Sequence, residues 1–128
     1  MSRRKSRELL FKMVFELCFQ SPERVDEDFF AMENLDEENR EFVLSNYEGI
    51  RHEFDDIVKI IEKHLKGYSL DRVFKIDLAI LVLAVYELNH GDTPKNVVVN
   101  EAVELAKRYS TEKSYSFING VLASIIKG

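Results

Sequence analysis

One cysteine, two prolines, five glycines and no tryptophan are spread over 128 residues. Each scarcity excludes something. A lone cysteine closes no intrachain disulfide, and no Cys-x-x-C pair or Cys–His context offers redox or metal chemistry. Cys18 lies in an apolar helical stretch and reads as a buried structural thiol. Pro22 and Pro94 suit helix starts, and Gly67 and Gly91 suit helix stops, so long helices can run between them uninterrupted. No apolar/polar alternation persists long enough for a strand. There is no internal repeat, no low-complexity tract, no glycine-rich phosphate loop and no G-x-S-x-G elbow. His52, His64 and His90 have no cysteine or carboxylate partner at ligand spacing. Asp55 and Asp56 are adjacent, hence on different helix azimuths, which fits a solvated face better than an acid–base pair. These absences predict a protein that is not an enzyme and that carries no metal or cofactor.

What the chain does have is Ile76 to Leu88, IDLAILVLAVYEL. The run is too long for a strand, and it is short of the roughly 20 apolar residues that span a bilayer. Asp77 and Glu87 bracket it. A helix apolar on all sides must be surrounded by other helices. The expected fold class is therefore all-α, with a buried central helix wrapped by amphipathic ones. A single cysteine, no signal-like leader and no spanning segment point to a cytoplasmic protein without membrane contact.

The remaining periodicities supply the wrapping. Leu10, Met13, Val14 and Leu17 form one helical face of a first helix from about Arg3 to Phe19, with Phe11, Phe15 and Phe19 as a second stripe. A short acidic helix is expected over Glu23 to Glu33, burying Phe29, Phe30 and Met32. A long third helix runs from about Glu37 to Leu65 with Asp36 as N-cap. Gly49 within it suggests close helix packing. A short turn over Leu70 to Phe74 leads into the central helix, which ends near His90, where a protonated imidazole suits the helix C-terminus. Thr93-Pro94 opens a sixth helix burying Val98, Ala102, Leu105, Ala106 and Tyr109. The last helix buries Phe117, Ile118, Val121, Leu122, Ile125 and Ile126. About seven helices in two packed bundles result, residues 1–66 and 67–128 of one domain.

Net charge is −5, but it is unevenly spread. Arg3, Arg4, Lys5, Arg7 and Lys12 face only Glu8 at the start, whereas residues 23–41 carry nine acids against Arg24 and Arg40. Phosphates feel the local field within a Debye length of about 8 Å, so the net charge does not exclude nucleic acid. The basic start has two readings, a solvated terminus or a phosphate-binding edge. Phe15 likewise reads as core or as an aromatic face at the rim of the basic patch, where a base could stack.

Two stretches resemble the NusB family of bacterial transcription antitermination factors. One is Ile80 to Leu88, the Pro94 turn, and Val99-Asn100-Glu101-Ala102-Val103-Glu104-Leu105-Ala106-Lys107-Arg108-Tyr109. The other is Phe117-Ile118-Asn119-Gly120-Val121-Leu122, similar to the family's F-V-N-G-V-L signature. Arg3-Arg4-Lys5-Ser6-Arg7-Glu8 resembles the family's arginine-rich opening. The resemblance spans essentially the whole chain.

It implies two packed helical bundles and no enzymatic activity. It also implies binding of boxA-type single-stranded RNA together with NusE, a ribosomal small-subunit protein, within the antitermination complex of RNA polymerase, with read-through of ribosomal RNA operons as the outcome. Arg3, Arg4, Lys5 and Arg7 would supply cations and Phe15 a stacking face. Lys113 and Phe117, near the start of the last helix, match family positions on the RNA face. The NusE face would lie near Asp77. Three departures bear on the RNA site: Lys113 stands where the family often has an acid or amide, Ser116 where it often has lysine, and the basic opening is short. Asn119-Gly120 reads as a close helix crossing with a capping amide, and Glu101 as a buried or half-buried partner of a cation or of the first helix's backbone. Two other readings remain, a helical protein–protein scaffold that binds no RNA and a homodimer that hides the RNA face.

Overall fold

The computed structural model describes residues 3–19, 34–67 and 69–128. The expected acidic helix over residues 23–33, with Phe29, Phe30 and Met32, lies outside the described residues, as do Pro22 and Tyr68. Among the described residues there are five α-helices and one 3-10 turn: α1 (Arg3–Leu17), α2 (Glu37–Lys63), the turn Leu70–Arg72, α3 (Lys75–His90), α4 (Lys95–Tyr109) and α5 (Glu112–Lys127). The all-α class follows, with no strand among the described residues.

Helix α3 is the axis. Every side chain from Leu78 to Val85 is buried, and α1, α2, α4 and α5 all pack against it. Helix α1 lies on α2 and α3 and buries Leu10, Phe11, Met13 and Val14. Leu17 and Phe15 are half-buried and Phe19 is 55% exposed, so the second aromatic stripe leaves the core progressively along the helix.

Asp36 caps α2 as its sequence predicts. Its carboxylate accepts from the Asn39 backbone N–H at 2.8 Å and from the Asn39 amide at 3.0 Å. Those bonds hold the Asp36 carboxyl below its ordinary pKa. Val43, Tyr47, Ile50, Ile57 and Ile61 are the buried stripe of α2. At 1.5 Å per residue this 27-residue helix is about 40 Å long, enough to pass both α1 and the end of α5. It ends at Lys63 with His64 as its C-cap, and Gly67, whose φ of +79° is a conformation that L side chains rarely adopt, lies in the turn beyond.

Gly49 has the close neighbour its position suggests. A methyl group built there would overlap the Tyr86 hydroxyl and lie 2.7 Å from the ring carbon that bears it. Gly120 does not. It is exposed, with nothing within 4 Å of a built Cβ, so the expected helix crossing is absent among the described residues. Asn119 is exposed too and has no hydrogen-bond partner among the described residues, so it caps no neighbouring backbone group. The α4 start also differs from expectation. Pro94 occupies the cap position, its carbonyl accepting from Val97 and Val98, and no side chain, Thr93 included, caps the helix.

Candidate nucleic-acid interface

The first turn of α1 carries the charge cluster, and its members have different surroundings. The Arg3 guanidinium stands 4.1 Å from the centre of the Phe42 ring and 3.4 Å from the Glu38 carboxylate, both on α2. Arg4 and Lys5 are exposed and unpartnered among the described residues. Ser6 is buried between them and Arg7.

Arg7 turns inward. Its guanidinium reaches Glu87 at the end of α3 at 3.3 Å and Glu101 of α4 at 4.0 Å, with its side chain 17% exposed. Burial pushes the Glu87 carboxyl above its ordinary value. Arg7 pulls it back and Glu101 pushes it up further. The sequence pattern groups Arg7 with the phosphate-facing cations, but the geometry makes it a pin between three helices. Glu101 is the half-buried cation partner its pattern suggests.

The next residue on α1, Glu8, holds the end of α4. One oxygen pairs with Arg108, and the other accepts from the Tyr109 hydroxyl at 3.3 Å. The Tyr109 ring lies 5.2 Å from Phe11, and the Lys12 ammonium stands 6.0 Å from the same ring. Arg4, Arg7, Glu8, Glu87, Glu101, Glu104 and Arg108 thus rim one narrow cleft. Its floor is Ile80, Leu83, Ala84, Val98, Ala102 and Leu105, and its interior admits little more than a water molecule.

Further along, Phe15 is half-buried with its ring edge-on to exposed Phe19 at 5.0 Å. Cys18 behind them is buried, and desolvation pushes its thiol up to about 12 against the pull of Lys75. The thiol is therefore protonated and inert at neutral pH.

Tyr109 is also the link to the last helix, since α5 begins three residues later at Glu112. Lys113 in its first turn is exposed, and Phe117 is half-buried. Both line an open groove with Arg72, Val73, Phe74 and Thr111, with Asp77 at its base. Phe74 is 62% exposed. Asp77 itself is buried. One carboxylate oxygen accepts from the Ser110 hydroxyl at 2.6 Å and the other from the Ser114 hydroxyl at 2.8 Å. Its side chain therefore positions the start of α5 from within, and the groove surface is left to its neighbours.

A model of the NusB family matches residues 4–127 of this chain. The chain belongs to the NusB family. It is 45% identical over 130 residues to the transcription antitermination protein NusB of Acetivibrio thermocellus, covering 99% of this chain and 90% of that protein. It is 44% identical to that of Finegoldia magna, covering 99% and 95%. Among solved structures, T. maritima NusB superposes with a TM-score of 0.88 at 35% identity, over 99% of this chain and 92% of that one. NusB from a complex of antitermination factors NusB and NusE with double-stranded RNA superposes with a TM-score of 0.79 at 28% identity, over 99% and 98%.

On this NusB fold, the residues singled out in the sequence fall into four groups. Arg3, Arg4 and Lys5 crown the start of α1. Phe15 lies about 18 Å further down the same helix, twelve residues at 1.5 Å each. Lys113 and Phe117 open α5, reached through Tyr109. Arg7 and Asp77 are internal supports. Sequence reasoning missed Arg108 and Tyr109, because only the folded chain brings the end of α4 against the middle of α1. A surface of cations and half-exposed aromatic rings offers the phosphate contacts and stacking faces that unstacked nucleic acid requires.

Proposed function

We propose that this chain is an antitermination factor that binds boxA-type single-stranded RNA together with NusE. In this reading it acts in the cytoplasm as part of the RNA polymerase antitermination complex and promotes read-through of ribosomal RNA operons. The observation that carries the reading is the pair Arg4 and Lys5, exposed and unpartnered among the described residues, on the same helix as Phe15. Middle and end of that path are joined through Phe11, Lys12 and Tyr109 to the turn that presents Lys113 and Phe117. The relationship to a NusB solved with NusE and RNA supports the choice of ligand and partner. The Asp77 side of that groove, with Phe74 exposed at its edge, is the proposed NusE side of the site, opposite the Lys113 and Phe117 wall proposed for RNA.

The test is a fluorescence-anisotropy titration of labelled boxA-type RNA against this protein, with and without NusE, across salt concentrations. Binding should weaken as salt rises, with a slope of about 0.7 per phosphate contact for a single strand. Arg4→Ala and Lys5→Ala should each weaken binding and flatten that slope. Undetectable or salt-insensitive binding in both conditions would reject the reading.

A helical scaffold that contacts NusE without RNA is the second reading. Its support is that Arg3, Arg7 and Arg108 already face carboxylates of their own chain. An intact NusE complex combined with no response to Arg4→Ala would favour it. A homodimer covering the RNA face would instead show as a doubled mass in light scattering that RNA reverses.

A further inference from the structure

Arg108 stands at the rim of the narrow cleft, 45% exposed, at the end of α4. Arg4 rims the same cleft from α1. Between them lies Glu8, one helical turn after Arg4 and ion-paired to Arg108, with its side chain 20% exposed. Two guanidinium groups from different helices thus rim the cleft that also holds the Glu8 carboxylate, which pairs with Arg108 and is fixed by the Tyr109 hydroxyl, while the Arg4 guanidinium makes no ion pair with it. We propose that Arg4 and Arg108 form a two-guanidinium clamp for one phosphodiester of the bound RNA, with Glu8 as the resident counter-ion that the phosphate displaces. The inference rests on the RNA-binding reading above and adds to it a residue, Arg108, and an internal competitor, Glu8.

The physical case has three parts. A guanidinium presents five N–H donors in a fork that matches phosphate oxygens, and two such forks converging on one group suit a phosphodiester. The Glu8 carboxylate on Arg108 already takes up that guanidinium's share of the position, with the same charge sign and the same acceptor chemistry. A partly exposed ion pair has little net strength, so exchange of Glu8 for phosphate costs little. Arg108 is held ready by Glu8 rather than left to sample many rotamers, and the Tyr109 hydroxyl keeps Glu8 in place during the approach. The carboxylate that orders the site also weakens it. The free protein therefore rejects stray anions, and only a strand already anchored elsewhere on the surface competes successfully.

The experiment is anisotropy with boxA-type RNA in the presence of NusE, on wild type, Arg4→Ala, Arg108→Ala, Glu8→Gln and the double variant Glu8→Gln/Arg108→Ala. Lys59→Ala on the exposed face of α2 serves as a remote charge control. Glu8→Gln keeps an oxygen for Tyr109 and removes the charge, so it should tighten binding by about 5-fold. Arg108→Ala should weaken wild-type binding by about 3-fold and reduce the salt slope by about 0.7. The same change made on Glu8→Gln should cost more, about 10-fold, because the counter-ion no longer holds Arg108 back. Far-UV circular dichroism of each variant confirms that the helices persist. If Arg4→Ala weakens binding while Arg108→Ala and Glu8→Gln leave it at the Lys59→Ala level, the clamp is wrong and the RNA reading stands. Weaker binding by Glu8→Gln would make Glu8 a strut and overturn its role as competitor. Absence of RNA binding by the wild type would remove both.

Discussion

Helix α3 is buried on every side from Leu78 to Val85, whereas α1 buries one face and exposes Arg3, Arg4 and Lys5 on another. Both are helices of similar length, 16 and 15 residues, lying side by side. An apolar side chain has one destination whatever its neighbours are, because removing it from water is favourable in any dry surroundings. A cation has no such default. Its availability depends on which carboxylates the other helices bring to it. On α1 the outcome differs at nearly every position: Arg3 shared with Phe42 and Glu38, Arg4 and Lys5 open, Arg7 pinned to Glu87 and Glu101. The architecture is thus set by α3 and the function by how α1 is partnered.

The sharpest way to break this comparison is to damage each helix at its own specialty. Leu81 is completely buried at the centre of α3. Leu81→Ala should cost about 2–5 kcal/mol of stability through lost burial and the cavity left behind. Urea denaturation would show a lower midpoint with unchanged slope. RNA affinity at temperatures where the variant remains folded should be close to wild type. A loss under 1 kcal/mol would mean that α3 is not the axis described here.

The next effect is on the charged side. Arg7→Ala leaves Glu87 without its cation in a half-buried place. Because both side chains keep some solvent contact, the expected cost is about 2 kcal/mol, less than the roughly 3–5 kcal/mol of a fully buried pair. The same site sets a pH dependence. The folded-state pKa of Glu87 lies above its ordinary value of 4.5, so the folded protein holds this proton more tightly than the unfolded chain does. Its contribution is therefore fully present below pH 4.5 and is lost as pH rises from 4.5 through the folded value. Glu87→Gln removes that loss. Measured by urea titration, the variant should gain on wild type steadily with rising pH across this window. A gain in the opposite direction would mean that Arg7, rather than burial, dominates the carboxyl.

How far these features could be read before folding follows the same division. The run Ile76 to Leu88 announced α3, and Asp36 with the α2 stripe announced the long helix, because cap chemistry and apolar spacing are local. The α5 stripe was legible in its middle, Ile118, Val121 and Leu122, and less so at its ends, where Phe117 and Ile125 are only half-buried. The cluster Arg3 to Arg7 was visible as charge, but its division into open, shared and pinned cations was not. Glu38, Glu87 and Glu101 lie 35, 80 and 94 positions from their arginines, and no local pattern encodes such pairings. Asp77 shows the same limit. The family resemblance implies a partner face near it, whereas its burial and capture by Ser110 and Ser114 depend on how α4 and α5 are joined.

The smallest effect divides the two helix-interior glycines. Intrinsic propensity treats Gly49 and Gly120 alike, each about 1 kcal/mol worse than alanine. Packing does not. Alanine at Gly49 must displace the Tyr86 ring, which also lies against His90 at 4.7 Å. An overpacking cost of about 1–3 kcal/mol against a propensity gain of about 1 leaves Gly49→Ala neutral to destabilising by about 2 kcal/mol. Alanine at Gly120 meets nothing, so Gly120→Ala should stabilise by about 0.5–1 kcal/mol. Urea melts of both variants measure the difference. Tyr86→Phe removes the hydroxyl that a Gly49 methyl would meet first, so the two changes should couple, with Gly49→Ala costing less on the phenylalanine background. Equal and favourable shifts at both glycines, with no coupling to Tyr86, would show that α2 and α3 have room to part. The contact that fixes their spacing would then have to be sought among the buried side chains of α2.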